Sequence, residues 1–120
     1  MDLQARAVLI VEDDTAIAEL YSLRLRMDGY TVHHASDAAT AQVIFGQAKP
    51  AVVCVDTRLP GASGLAMAAD FAQHGATVVL LTNDQESFES PPRGVARALL
   101  KARTSPSELA SAIAELTGVS

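Results

Sequence analysis

Short apolar runs alternate along the chain with segments whose apolar residues recur at helical spacing. Three runs are continuous and rich in Val and Leu, as expected of strands covered on both faces: AVLIV (7–11), AVVCV (51–55) and TVVLL (77–81). Two further runs, YTVHH (30–34) and VARALL (95–100), mix apolar with polar residues, which is typical of strands at the edge of a sheet. The pattern therefore predicts five strands, of which three are central.

Between the strands, apolar residues three or four positions apart predict amphipathic helices. The last helix opens with SPSE at 105–108, a capping box with proline at the first helical position, so its start is well defined. Segment 83–93 contains two adjacent prolines and predicts only a short helix. The predicted buried faces are Ala16, Leu20, Leu23 and Met27 in the first helix, Ala38, Ala41, Phe45 and Ala48 in the second, Leu65, Ala68, Ala69 and Ala72 in the third, and Leu109, Ala112, Ile113 and Leu116 in the last.

Strands that alternate with helices favour a parallel sheet with right-handed crossovers and helices on both faces. With the continuous runs in the centre and the mixed runs at the edges, the strand order 2-1-3-4-5 of a flavodoxin-like, doubly wound α/β sheet fits the pattern. A chain of 120 residues suffices for one core but hardly for two, so we interpret residues 1–120 as a single domain.

The composition disfavours several classes of protein. Nine Lys and Arg stand against 14 Asp and Glu, a formal net charge of −5 without an arginine-rich patch, which argues against nucleic-acid binding by this chain itself. The apolar runs are far shorter than the roughly 20 residues that span a bilayer. The start MDLQARAVLIV has an acid at position 2 and does not resemble a secretory signal, so we expect a cytoplasmic protein with no membrane partner. Cys54 is the one cysteine, and its apolar run predicts a small buried side chain.

Charged and hydroxyl side chains follow four of the predicted strands. They are Glu12, Asp13 and Asp14 after the first strand, Asp56 after the third, Thr82 after the fourth and Lys101 after the fifth. The carboxyl ends of parallel strands meet at one edge of a sheet, where ligands bind, so these groups are expected to converge. Asp14 is interpreted as the cap of the first helix, because a turn needs one cap and not three acids.

A cluster of Glu12, Asp13 and Asp56 would repel itself unless protons or a cation neutralise it. One or two carboxylates together with water suit Mg²⁺. Lys101 adds a point charge and Thr82 a hydroxyl donor, and the whole set predicts a small site in which a carboxylate accepts a phosphoryl group.

At these positions the chain resembles the receiver domain of two-component response regulators. VLIVEDD is similar to the first strand of that family with its acidic pair, VDTRLPGASG to the segment around its phosphoacceptor aspartate, and LLT and LLK to its threonine and lysine positions. The resemblance implies that Asp56 accepts the phosphoryl group. It also implies that Asp13 and Asp56 hold Mg²⁺ with the backbone carbonyl of Arg58, while Glu12 helps through water.

The same resemblance implies roles for the residues around the acceptor. Thr82 would bond one phosphoryl oxygen, Lys101 would pair with another, and the backbone N–H groups of Thr57 and Asn83 would complete the cradle. The partners implied are a sensor histidine kinase or histidine phosphotransfer protein and a downstream effector protein or domain. The receiver would not be an enzyme in the usual sense, but would assist its own phosphorylation and dephosphorylation.

Three positions depart from the pattern of the family. The family usually has an aromatic residue where Ala98 stands, Ala or Gly where Asn83 follows the threonine, and Pro where Ala102 follows the lysine. These departures affect the surface that would report phosphorylation, whereas the chemical site is intact. A second hypothesis is a pseudo-receiver that docks partners without phosphotransfer. A third, a small Mg²⁺-dependent phosphohydrolase, is disfavoured because Arg58 occupies the place where such phosphatases usually carry a second acid.

Overall fold

The fold is built on one parallel sheet, and the computed structural model describes residues 6–118 of the chain. The strands of this sheet are β1 (Ala7–Val11), β2 (Thr31–Ala35), β3 (Val52–Asp56), β4 (Thr77–Thr82) and β5 (Arg97–Leu100), and a short antiparallel pair, Arg58–Leu59 with Ala62–Ser63, follows β3. Their spatial order is β2-β1-β3-β4-β5 with parallel neighbours throughout, which confirms the predicted flavodoxin-like sheet. The first residues, on which the expectation of no secretory signal rests, and the limits 1 and 120 lie outside the described residues.

Within residues 6–118, five α-helices connect and follow the strands. They are α1 (Thr15–Met27), α2 (Ala38–Ala48), α3 (Gly64–Gln73), α4 (Gln85–Glu89) and α5 (Pro106–Thr117). The capping box at Ser105 and the cap at Asp14, which accepts from the N–H of Ile17, are both as predicted. The short α4 also agrees with the prolines that follow it, because proline cannot continue a helix. None of the helices within 6–118 is long and apolar enough to cross a membrane.

The core forms two layers, one on each face of the sheet. Alternate residues of β1 point to opposite faces, so Val8 and Ile10 pack towards α1 and α5, whereas Leu9 and Val11 pack towards α2 and α3. Cys54 is fully buried in the first of these layers, as predicted, and burial raises the pKa of its thiol to about 12. The faces predicted for α2 and α5 are buried or half-buried and are also confirmed.

The buried face predicted for α1 is wrong. Leu20, Leu23 and Met27 are exposed by 59%, 60% and 74%. The residues that α1 buries are Ala18, Tyr21, Ser22 and Leu25. Tyr21 can turn inward because its hydroxyl donates to the carbonyl of Thr104 at 2.9 Å, which satisfies the polar tip.

Candidate functional site

The predicted site residues lie together at the carboxyl edge of the sheet. Asp56 is the last residue of β3 and Thr82 the last of β4, while Glu12 and Lys101 directly follow β1 and β5. Glu12 and Thr82 are fully buried and Asp56 is 4% exposed, whereas Asp13 is exposed. Beside them is a cleft of about 330 Å³, lined by Asp13, Asp56, Thr57, Arg58, Asn83 and Lys101.

Both carboxylate oxygens of Asp56 have a hydrogen-bond donor. Oδ1 accepts from the backbone N–H of Arg58 at 3.1 Å, and Oδ2 accepts from the ammonium of Lys101 at 2.8 Å. The first bond closes a tight turn directly after β3, and the second reaches across from the end of β5. The carboxylate is therefore held in one orientation at the edge of the cleft.

Three carboxylates face one another beside this aspartate. Ligand oxygens of Glu12, Asp13 and Asp56 all lie within 4.8 Å of one another. Glu12 Oε1 accepts from Lys101 at 2.8 Å and from the N–H of Asp14 at 3.2 Å, while its Oε2 is buried without a hydrogen-bond partner. An all-oxygen donor set with an orphaned buried oxygen fits a hard divalent cation such as Mg²⁺.

Burial and contact with Lys101 shift the pKa values of this cluster. Burial raises the pKa of Glu12, although the hydrogen bond from Lys101 opposes the shift. For Lys101, burial alone would lower the pKa, but hydrogen bonds to Asp56 and Glu12 outweigh it and raise the pKa. Lys101 is therefore a cation at neutral pH, with a side chain that is only 16% exposed.

Thr82 belongs to a small hydroxyl network. Its Oγ1 accepts from the backbone N–H of Asp84 at 2.9 Å and from the hydroxyl of Thr57 at 3.1 Å. The backbone N–H of Thr57 donates to the carbonyl of Leu81 at 3.2 Å, so its predicted part in a phosphoryl cradle, which stays a prediction, requires this bond to open or be shared.

The sequence pattern did not predict three features of the site. The ring Nε2 of His34 lies 2.7 Å from the carbonyl oxygen of Glu12 and holds the end of β1. Asn83 Oδ1 accepts from the N–H of Ala102 at 2.8 Å. Gly64 packs against the peptide group of Asp56, and its one signal in the sequence was the second glycine of VDTRLPGASG.

Comparison with known proteins gives matches over most of the chain. The model of the response regulator receiver domain family matches residues 8–113. The DNA-binding response regulator MtrA of Mycolicibacterium smegmatis is 30% identical over 90 residues, which are 74% of this chain and 40% of that protein. The probable transcriptional regulatory protein TcrX of Mycobacterium tuberculosis is 35% identical over 83 residues, 68% of this chain and 36% of that protein. The matched part thus spans well under half the length of these curated relatives.

Solved structures match over nearly the whole chain. A putative response regulator from Chloroflexus aurantiacus has a TM-score of 0.84 and 26% identity, with 94% of this chain and 98% of that chain covered. The response regulator protein TrrA from Thermotoga maritima, solved in complex with Mg²⁺ and BeF, has a TM-score of 0.81 and 24% identity, with 92% of this chain and 98% of that chain covered. At 24% identity, the similarity to TrrA shows a shared fold and no more.

Proposed function

This chain belongs to the response regulator receiver domain family, and we propose that it is a phosphorylation-dependent signalling switch with Asp56 as the phosphoacceptor. The observation that carries the proposal is the position of Lys101, whose ammonium bridges Asp56 Oδ2 and Glu12 Oε1 at 2.8 Å each. A cation in that position can pair with a phosphoryl oxygen as soon as one arrives on Asp56.

The proposed reaction is attack of an Asp56 oxygen on phosphorus. The donor is a phosphohistidine of a sensor histidine kinase or histidine phosphotransfer protein, or a small phosphodonor. The bond between phosphorus and the donor breaks, the leaving group keeps the electron pair and takes a proton from solvent, and Asp56 becomes an acyl phosphate.

Several residues of the chain would act on the transferred group. Lys101 would exchange its bond with Asp56 Oδ2 for one with a phosphoryl oxygen, stabilising charge on the equatorial oxygens. The hydroxyl of Thr82, which accepts from Thr57, would donate its own proton to a second phosphoryl oxygen, and this bond would draw the start of the following loop inward. Backbone N–H groups of Thr57 and Asn83 complete the proposed cradle.

The acidic cluster is the proposed magnesium site. Glu12, Asp13 and Asp56, with the backbone carbonyl of Arg58, would hold the ion. When bound, Mg²⁺ would neutralise charge on the phosphoryl oxygens. The unpartnered Oε2 of Glu12 and the short distances between the three carboxylates support this assignment.

The proposed output is a change of surface that a downstream effector protein or domain recognises, in the cytoplasm. The formal net charge of the chain is −5, which favours an output that does not depend on nucleic-acid binding by this chain itself. The presence of Asp56, Asp13 and Lys101 in one cleft favours phosphotransfer over a docking module without it. The same groups would assist the later loss of the phosphoryl group to water.

Intact-mass measurement tests the proposed function. Wild-type protein incubated with Mg²⁺ and acetyl phosphate should gain the mass of one phosphoryl group, and Asp56→Asn should gain none. Asp70→Asn, which removes a different partly exposed acid from α3, is the matched control and should label like the wild type. Equal labelling of Asp56→Asn and the wild type would contradict the proposal.

A further inference from the structure

A hydrogen bond joins the loop that follows Thr82 to the turn that begins at Lys101. Asn83 follows Thr82 and Ala102 follows Lys101, and Asn83 Oδ1 accepts from the N–H of Ala102 at 2.8 Å. A backbone N–H can only donate, so the oxygen of the carboxamide, and not its nitrogen, must face Ala102.

This bond lies beyond the end of the sheet ladder. The last register pair between β4 and β5 is Thr82 with Leu100, so Lys101 already lies outside the ladder. β5 is an edge strand with β4 as its only neighbour in the sheet. Asn83 therefore extends the link between the two strands past their last backbone pair.

Two hydrogen bonds close the turn that follows β5. Lys101–Arg103 forms a 3₁₀ turn, in which the N–H of Thr104 donates to the carbonyl of Lys101 at 3.3 Å. The hydroxyl of Thr104 also donates to the carbonyl of Leu100 at 2.7 Å. These local bonds fix the shape of the turn. The hydroxyl of Tyr21 holds it towards α1 through the carbonyl of Thr104, and beyond the sheet ladder the bond from Ala102 to Asn83 connects it to the loop after β4.

Lys101 depends on that position. Its long, flexible side chain must place one ammonium within 2.8 Å of two different carboxylates. A shift of the turn away from β4 would move the origin of this side chain, and a misplacement of about 1 Å can cost a large part of a rate.

We propose that the side-chain carboxamide of Asn83 is a positioning residue that holds the Lys101 turn against the end of β4, so that Lys101 meets the phosphoryl group on Asp56. This inference rests on the proposed function. Asn83 acts here through Ala102 and Lys101, a role separate from that of its backbone N–H in the cradle.

The test is the rate of phosphorylation by acetyl phosphate at saturating Mg²⁺ in Asn83→Ala, Ala102→Pro and the double variant. Proline has no N–H, so Ala102→Pro removes the donor while Asn83→Ala removes the acceptor. Because one exposed hydrogen bond is lost, we expect phosphorylation of Asn83→Ala to be about 3- to 10-fold slower than that of the wild type. Glu86→Gln, an exposed side chain on α4, is the control and should keep the wild-type rate.

The double variant decides whether the two residues act through one bond. If they do, Asn83→Ala should slow the Ala102→Pro protein no further, because the bond is already absent. The Mg²⁺ affinity of Asn83→Ala should not fall below that of the wild type, because a shift of the cationic Lys101 removes no ligand oxygen from the acidic cluster. A wild-type rate for Asn83→Ala, the same slowing in both backgrounds, or a parallel loss of Mg²⁺ affinity would overturn the inference.

Hydrogen exchange at the Ala102 amide separates this inference from the proposed function, because it needs no phosphorylation. Exchange should be at least about fivefold faster in Asn83→Ala than in the wild type. Wild-type protein that accepts no phosphoryl group would contradict the proposed function. Wild-type protein that accepts one, with Asn83→Ala equally fast and the Ala102 amide unchanged, would contradict the positioning role alone.

Discussion

Gly64 at the start of α3 packs directly against the peptide group of Asp56 at the end of β3. A Cβ at position 64 would lie 2.9 Å from the carbonyl carbon of Asp56 and 2.7 Å from the Cα of Thr57, and closer still to the Asp56 oxygen. These are backbone atoms, which cannot rotate aside as a side chain can. Because Gly64 has no side chain, the end of β3, which carries the proposed phosphoacceptor, can lie directly against the start of α3.

Gly64→Ala should displace the end of β3. We expect it to lower the free energy of unfolding by about 1–3 kcal/mol, the usual cost of an overpacked contact, and to slow phosphorylation of Asp56. Gly46→Ala in α2 is the control: its Cβ would meet nothing within 4 Å, so it should raise stability by about 0.5–1 kcal/mol. Urea unfolding measures both, and a Gly64→Ala protein as stable as the wild type would contradict the packing described.

Mg²⁺ should stabilise the protein through the acidic cluster. At ten times its Kd, an ion that binds only the folded state adds about 1.4 kcal/mol, seen as a higher melting temperature. Asp13→Ala should abolish this rise, because Asp13 supplies one oxygen of the cluster. Glu19→Ala, which removes an exposed acid of α1 outside the cluster, should retain the rise. Loss of the rise in both variants would point to a general charge effect and not to a site.

The buried thiol predicts a loss of stability at high pH. Burial raises the pKa of Cys54 from 9.0 to about 12, so the folded protein keeps the thiol proton at a pH where the unfolded chain loses it. The stabilisation is complete below the unfolded pKa and is lost as pH rises from there towards the folded value. Between about pH 9 and 11, the unfolding free energy should fall more steeply in the wild type than in Cys54→Ala, by up to about 1.4 kcal/mol per pH unit. Equal slopes in urea titrations would contradict the burial of this thiol.

Two leucines of α1 provide a test of which face is buried. Leu25 is fully buried and Leu23 is 60% exposed, so the same substitution has different consequences at the two positions. Leu25→Ala should cost about 2–5 kcal/mol, whereas Leu23→Ala should stay within about 0.5 kcal/mol of the wild type. Chemical denaturation of the pair measures the difference, and the reverse ranking would restore the face predicted from the sequence.

The convergence of Asp56, Thr82 and Lys101 could be predicted because continuous apolar runs locate strand ends and parallel strands share one edge. The orientation of α1 could not be predicted in this way. Its apolar residues lie on both sides at the same spacing, and burial of Tyr21 depends on a hydrogen bond to Thr104, 83 residues along the chain. Spacing alone cannot reveal such a partner.

The bond between Asn83 and Ala102 was also beyond the reach of the sequence. It depends on the direction of one side chain and on a 3₁₀ turn after β5, and residue spacing encodes neither. In the sequence the two residues are separate departures from the pattern of the family. In the structure they are hydrogen-bond partners.

Chemical location of the phosphoryl group tests the central claim most directly. Borohydride reduces an acyl phosphate to an alcohol but leaves free carboxylates intact, so a phosphorylated aspartate becomes homoserine. Wild-type protein treated with Mg²⁺ and acetyl phosphate, then reduced and mapped by peptide mass spectrometry, should carry homoserine at position 56. Homoserine at position 13 or 14 instead, or a phosphorylated protein that yields none, would contradict Asp56 as the phosphoacceptor.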